Sequence, residues 1–104
     1  MSVIYEVNLA VDREIAVEYR SWLATHVQEM LALPGFTGAR IMETVQDDAD
    51  ASETVFCTQY ELVDHAALDD YLRVHSARMR ADGISRFGDR FRSTRRVLRD
   101  LQSY

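Results

Sequence analysis

Lysine is missing from the 104 residues, so all 12 basic side chains are arginines, standing in wherever a cation is tolerated. Cysteine occurs once, as Cys57, which excludes an internal disulfide framework and a cysteine-based zinc site. Proline also occurs once, and neither proline nor glycine precedes Pro34. Long apolar runs are absent too. The longest uncharged stretch, Met30–Ala39, is ten residues broken by Pro34, Gly35 and Gly38, too short to span a membrane. The opening MSVIYEVNLAV has no basic segment and holds Glu6 inside its apolar run, so no secretory signal is expected. Together these absences predict a cytoplasmic protein without a membrane contact.

What is present suits a folded chain. Apolar residues make up 47% and charged residues 28%, an ordinary globular balance. The length predicts one domain over residues 1–104 with a radius of gyration of about 13 Å. Charge is unevenly placed: eight arginines fall in 78–99 against Asp82 and Asp89, giving +6 there and −11 elsewhere, −5 in all. A basic cluster can bind nucleic acid or an anion, or pair with the acidic remainder or a second subunit. The negative total would repel a phosphate backbone, so no nucleic-acid partner is expected.

Hydrophobic spacing gives the elements. Val3, Tyr5, Val7, Leu9 and Val11 repeat at period two, a strand with one apolar face and with Ile4, Glu6, Asn8 and Ala10 on the other. Asp12 stands where a helix cap would. From Ile15 to Met30 the apolar positions Tyr19, Trp22, Leu23 and Val27 follow helical spacing, and Leu33-Pro34-Gly35 ends that helix. Phe36–Val45 reads as a second strand, Gln46–Ser52 as an acidic hairpin loop and Glu53–Val63 as a third strand. Asp64 is a second cap candidate, opening a helix whose stripe is Leu68, Tyr71, Leu72, His75 and Met79 and which Gly83 ends. Arg90–Leu98 is the last strand. The order β-α-β-β-α-β predicts an α+β, ferredoxin-like fold: a four-stranded antiparallel sheet with two helices on one face. The strands carry apolar side chains on the other face as well. That face wants a second layer, and a second copy of the chain, forming a two-fold dimeric α/β barrel, is the simplest one.

Three segments carry a resemblance: L-P-G-F-x-G-A-R (33–40), T-Q-Y-E-L (58–62) and D-H-A-A-L-D-D-Y-L-x-x-H (64–75). They are similar to the dimeric α/β-barrel superfamily that includes antibiotic-biosynthesis and haem-degrading monooxygenases. The opening I-Y-E-V-N-L and the tail R-F-G-D-R-F-R-S-T-R-R-V-L (86–98) resemble, more closely, a small bacterial family of unknown function on that fold. The resemblance implies the fold and a homodimer, with no activity to carry over from the closest branch. Haem-degrading members place an Asn on the first strand, a Trp near the end of the third and a haem-ligating His on the second helix. Here His75 matches, Asn8 lies on the face opposite Val7 and Leu9, and Leu62 replaces the Trp. Haem is therefore not expected, nor any other cofactor.

Candidate residues follow from chemistry. His75, continuing the helical stripe toward the sheet, is the candidate base, or else a hydrogen-bonded, half-buried histidine. The three histidines have neither HxH nor HxxxH spacing, so no metal site is expected. Trp22, His26, Tyr60 and Tyr71, with Asn8, could line a pocket for a small organic molecule, or form an aromatic core. Glu6 and Glu61, polar on central strands, call for cationic partners. Arg95, which alternation places with Phe91 and Val97, is the expected partner, as a structural ion pair. Cys57, mid-strand, reads as an inert core thiol. Two functions remain open: a small-molecule-binding protein with a cofactor-independent, monooxygenase-like activity, or a non-catalytic regulatory module that uses its Arg-rich C-terminal strand to bind a partner. A pocket reaching His75 would favour the first, and that space filled by Trp22, Tyr71 and Met79 the second.

Overall fold

The structure, a computed structural model, describes residues 1–48 and 50–104; residue 49, within the expected Gln46–Ser52 loop, lies outside it. Alternation of valine, tyrosine and leucine in the first ten residues produces strand β1 (Val3–Asp12), whose five odd-numbered side chains are all buried. A single 3-10 turn, Arg13–Ile15, leads into helix α1 (Ala16–Leu31). Asp12 does not cap it. Its carboxylate instead receives Arg92 at 3.0 Å from the neighbouring strand, which leaves the 3-10 turn to start the helix. Strand β2 (Phe36–Glu43) follows, then β3 (Glu53–Leu62) and β4 (Phe91–Leu98). Each is one or two residues shorter than its apolar pattern suggests, because Val45, Val63 and Arg90 lie beyond the last ladder pair and are exposed.

The sheet order is β2-β3-β1-β4 with every neighbour antiparallel, the expected ferredoxin-like arrangement. Val3, Leu23, Met30, Phe56, Leu62 and Leu68 form part of the core between the sheet and the helices, each leaving 3% or less of its surface exposed. Burial of such side chains contributes about 1.5–3 kcal/mol apiece. Turn geometry seats the layers. Gly35, at φ +85°, lets the chain reverse between α1 and β2, and its backbone approaches Ala67 so closely that any side chain there would collide.

The second helical region departs most from expectation. Asp64 does cap it, accepting the Ala67 N–H at 2.8 Å. Helix α2 (His65–Asp70) then widens into a five-residue π turn, Tyr71–His75, before α3 (Ser76–Phe87). Within the turn the Ser76 N–H reaches back five residues to the Tyr71 carbonyl. The extra residue rotates the stripe, so that the buried positions run Leu68, Tyr71, Ser76, Met79, Gly83 and Phe87. Gly83 does not end the helix: it sits inside it, facing Trp22 and Phe91 at short range. Gly88, at φ +60°, makes the break. Among the described residues no helix is long and apolar enough to cross a membrane.

Candidate functional site

Between the sheet and helices α1 and α3 lies a cavity of about 200 Å³. Its floor comes from β1 and β3, with Tyr5, Val7, Thr58 and Tyr60; β4 adds Phe91, Ser93 and Arg95. Tyr19, Trp22 and His26 descend from α1, and Tyr71, Met79 and Arg80 complete the enclosure. Helical spacing on α1 and strand alternation on β1 place these side chains together, as the apolar patterns require. The rings pack as a connected set: Tyr5 lies 5.7 Å from Tyr71, and Tyr19 lies 5.4 Å from Trp22 and 5.2 Å from Phe91, measured between centroids.

The polar groups here are few. Burial keeps the tyrosine hydroxyls protonated, pushing Tyr71 up to about 12 and Tyr19 and Tyr60 further. Thr58 donates to the Val7 carbonyl at 3.3 Å. Tyr5 Oη accepts from Arg80 at 3.2 Å, and Ser93 Oγ from Arg95 at 3.0 Å. His26 stands apart. Its ring stacks on Trp22 with centroids 4.6 Å apart, and Nδ1 is buried with no hydrogen-bond partner. Burial lowers its pKa below the usual imidazole value, against the opposing pull of Glu29 and Asp82, so the ring is neutral at pH 7. His26 borders the cavity, and a neutral imidazole can accept a proton or a hydrogen bond.

Trp22, His26, Tyr60 and Tyr71 therefore line the cavity as the sequence suggests. Asn8 does not. It lies on the opposite, open face of β1 and donates to Glu6 at 3.0 Å. His75 is not among the lining residues either: the π turn carries it off the inward stripe, half-buried, with Nδ1 3.4 Å from Arg78. The expected Arg95 ion pair is also corrected. Arg95 faces the cavity, and the cation on Glu6 is Arg96, directly opposite it in the β1–β4 register. Glu6, only 3% exposed, also accepts from Gln59 at 2.9 Å; with Arg96 foremost, these donors hold its carboxyl down to about 2. Glu61 takes the Thr37 hydroxyl at 3.1 Å and, among the described residues, pairs with no arginine. Cys57 is half-buried on the open face rather than in the core, its pKa raised by desolvation and the nearby Glu6 carboxylate.

Two features escaped sequence reading. Arg80 joins the cavity with no periodic signal to mark it, whereas Ser93 follows the alternation of Phe91 and Arg95. Asp82, from α3, comes to His26 and Glu29, so that one ligand atom of each lies within 4.8 Å of the others. These three are the residues that could hold a divalent cation. Glu29 and Asp82 are exposed, and nothing else at the cluster points to an ion.

Comparison with known proteins places this geometry. The family described as Domain of unknown function (DUF4286) matches residues 2–101. No curated protein matches the chain by sequence. Among solved structures, the cofactor-independent oxygenase SnoaB of Streptomyces nogalater superposes with a TM-score of 0.69 at 16% identity, over 99% of this chain and 97% of that one. A putative antibiotic biosynthesis monooxygenase of Deinococcus radiodurans gives 0.71 at 14%, over 98% and 95%. An ethyl tert-butyl ether d (ethd) family protein of Bacillus halodurans gives 0.71 at 15%, over 97% and 100%. At such identities the likeness is one of fold.

Proposed function

The chain belongs to the DUF4286 family of unknown function, and on that premise we propose that it binds a small organic molecule in the cavity between sheet and helices. The observation that carries this reading is a 200 Å³ space lined by aromatic rings, with the neutral His26 imidazole on its wall. A dry apolar cavity of about 150 Å³ already holds benzene, so one substituted ring fits. Cofactor-independent oxygenation is the activity named for the Streptomyces nogalater neighbour. If such chemistry runs here, His26 is the base: its imidazole takes the proton of an acidic O–H or C–H, and burial keeps the ring neutral and free to do so. The proposal moves that role from His75 to His26.

The open sheet face is assigned to a second copy of the chain, giving a homodimer. The rival reading, a partner-binding module built on the Arg-rich β4, has less support, because Arg92 and Arg96 are already engaged by Asp12, Glu53 and Glu6. The test is a thermal-shift screen of quinones, flavins, haemin and small aromatic acids and phenols, read also by emission of Trp22, the sole tryptophan. A single-ring compound should raise Tm and change Trp22 emission saturably; at a hundredfold excess over Kd it stabilises by about 2.7 kcal/mol. His26→Ala should weaken that compound about tenfold or more with the fold intact. No saturable response from any compound would end the proposal.

A further inference from the structure

Seven arginines, among them Arg80 and Arg95, have no carboxylate within 4.0 Å among the described residues. Those two alone of the seven line the cavity. They come from different elements, Arg95 from edge strand β4 and Arg80 from helix α3. Both are exposed at the residue level although both line the cavity, as suits a guanidinium that keeps its charge in water. Each spends one described hydrogen bond on a neutral hydroxyl, Ser93 Oγ at 3.0 Å and Tyr5 Oη at 3.2 Å. A guanidinium offers five N–H donors, so most of their capacity is free. Both charges act on the Tyr71 hydroxyl in the direction of ionisation.

Resting on the reading that the cavity binds a ligand, we infer that its ligand is a small aromatic carboxylate whose ring lies among Tyr5, Tyr19, Trp22 and Tyr60 and whose anionic oxygens meet Arg80 and Arg95. Geometry and charge support the two halves separately. Planar rings pack well on offset or tilted aromatic walls. Arginine is the side chain suited to a carboxylate, through paired, charge-assisted hydrogen bonds. A bare inorganic anion would satisfy the arginines and leave the aromatic interior unfilled; a neutral ring would do the reverse. The ionised acid does both.

The experiment uses the full chain and three probes: benzoate, its neutral analogue benzamide, and acetate as the anion without a ring. Binding is followed by Trp22 emission and by Tm at constant, low ionic strength, where exposed charges are least screened. Benzoate should bind at least tenfold more tightly than benzamide, and acetate should give no saturable change. Arg80→Gln and Arg95→Gln should each remove most of the benzoate preference and lower benzamide affinity far less than benzoate affinity, while Arg95→Lys retains part of the preference. Because both arginines are exposed, circular dichroism should show all variants folded. Equal affinity for benzoate and benzamide, unaffected by either arginine, would overturn the carboxylate inference and leave the cavity reading intact. Acetate binding as well as benzoate would remove the ring. Silence from all three probes would overturn this inference, while the cavity reading is decided by the wider screen.

Discussion

Glu6 and its neighbours show what one strand position decides. Across the open face the register sets Arg40, Gln59, Glu6 and Arg96 in one row over four strands, so the carboxylate meets donors from β3 and β4. Alternation in the sequence placed Arg95 among apolar side chains, correctly, and required a carboxylate for it. That requirement fails because β4 is an edge strand: a long side chain there reaches water at the cavity mouth and stays solvated. Arg96, one residue on, is the cross-strand partner. The consequence is measurable. A carboxyl held at about 2 instead of 4.5 adds stability that is complete above about pH 4.5 and is lost as the pH falls toward 2. The Arg96 side chain is 65% exposed in the single chain, so solvent screening keeps the effect modest. Glu6→Gln should therefore cost about 1–2 kcal/mol at pH 7, and the gap to the unmodified protein should close below pH 4.5. Urea unfolding at pH 7, 5, 4 and 3 measures it; a gap that stays constant across that range would refute the assignment.

Elements were legible where one period runs unbroken. β1 and α1 keep theirs for a whole segment, so their existence, faces and core residues could be read from spacing. The second helix could not be read this way, because its period changes once. Leu68 and Tyr71 belong to one helical frame and Met79, Gly83 and Phe87 to another, and a single uninterrupted frame puts His75 inward. A π turn amounts to one inserted residue, and only the backbone reveals it. Removing a residue there should restore an ordinary helix without disturbing either frame. Deletion of exposed Val74 is accordingly expected to leave the circular dichroism spectrum unchanged and the Tm within a few degrees. Deletion of exposed Arg20 in α1, which has no slack, turns every following side chain by about 100° and should abolish cooperative unfolding. If the two deletions are equally damaging, the π turn has a role beyond register. The same change of frame explains why His26 displaced His75: a site lying across two elements depends on both frames, and only that of α1 could be read.

The whole molecule is a slab, 41 × 37 × 18 Å, with a Cα radius of gyration of 14.3 Å against the roughly 13 Å expected for a compact domain of this length. Its thinness is that of two layers, one sheet and one set of helices. The uncovered face mixes apolar Ile4, Met42, Val55 and Leu98 with the Arg40–Gln59–Glu6–Arg96 row, and several of these side chains are already half-buried. Such a surface suits a self-complementary contact better than permanent exposure, since a two-fold axis can set the acidic centre of one row against the basic ends of the other. The proposed dimer should bury at least about 1,200 Å² and show twice the 12.0 kDa chain mass in light scattering at micromolar concentration. Ile4→Glu, which adds a carboxylate beside Glu61 and Leu98, should convert it to a monomer. Cys57 supplies an independent readout, because it lies on the same face, in the row next to Glu6. Its raised pKa already slows reaction with a thiol reagent at neutral pH, and a dimer would slow it further by exclusion. Modification should therefore accelerate on dilution below the dimer Kd and in Ile4→Glu at any concentration. A monomeric mass together with a concentration-independent thiol rate would mean that the open face is simply solvated, and that the polar row alone keeps it soluble.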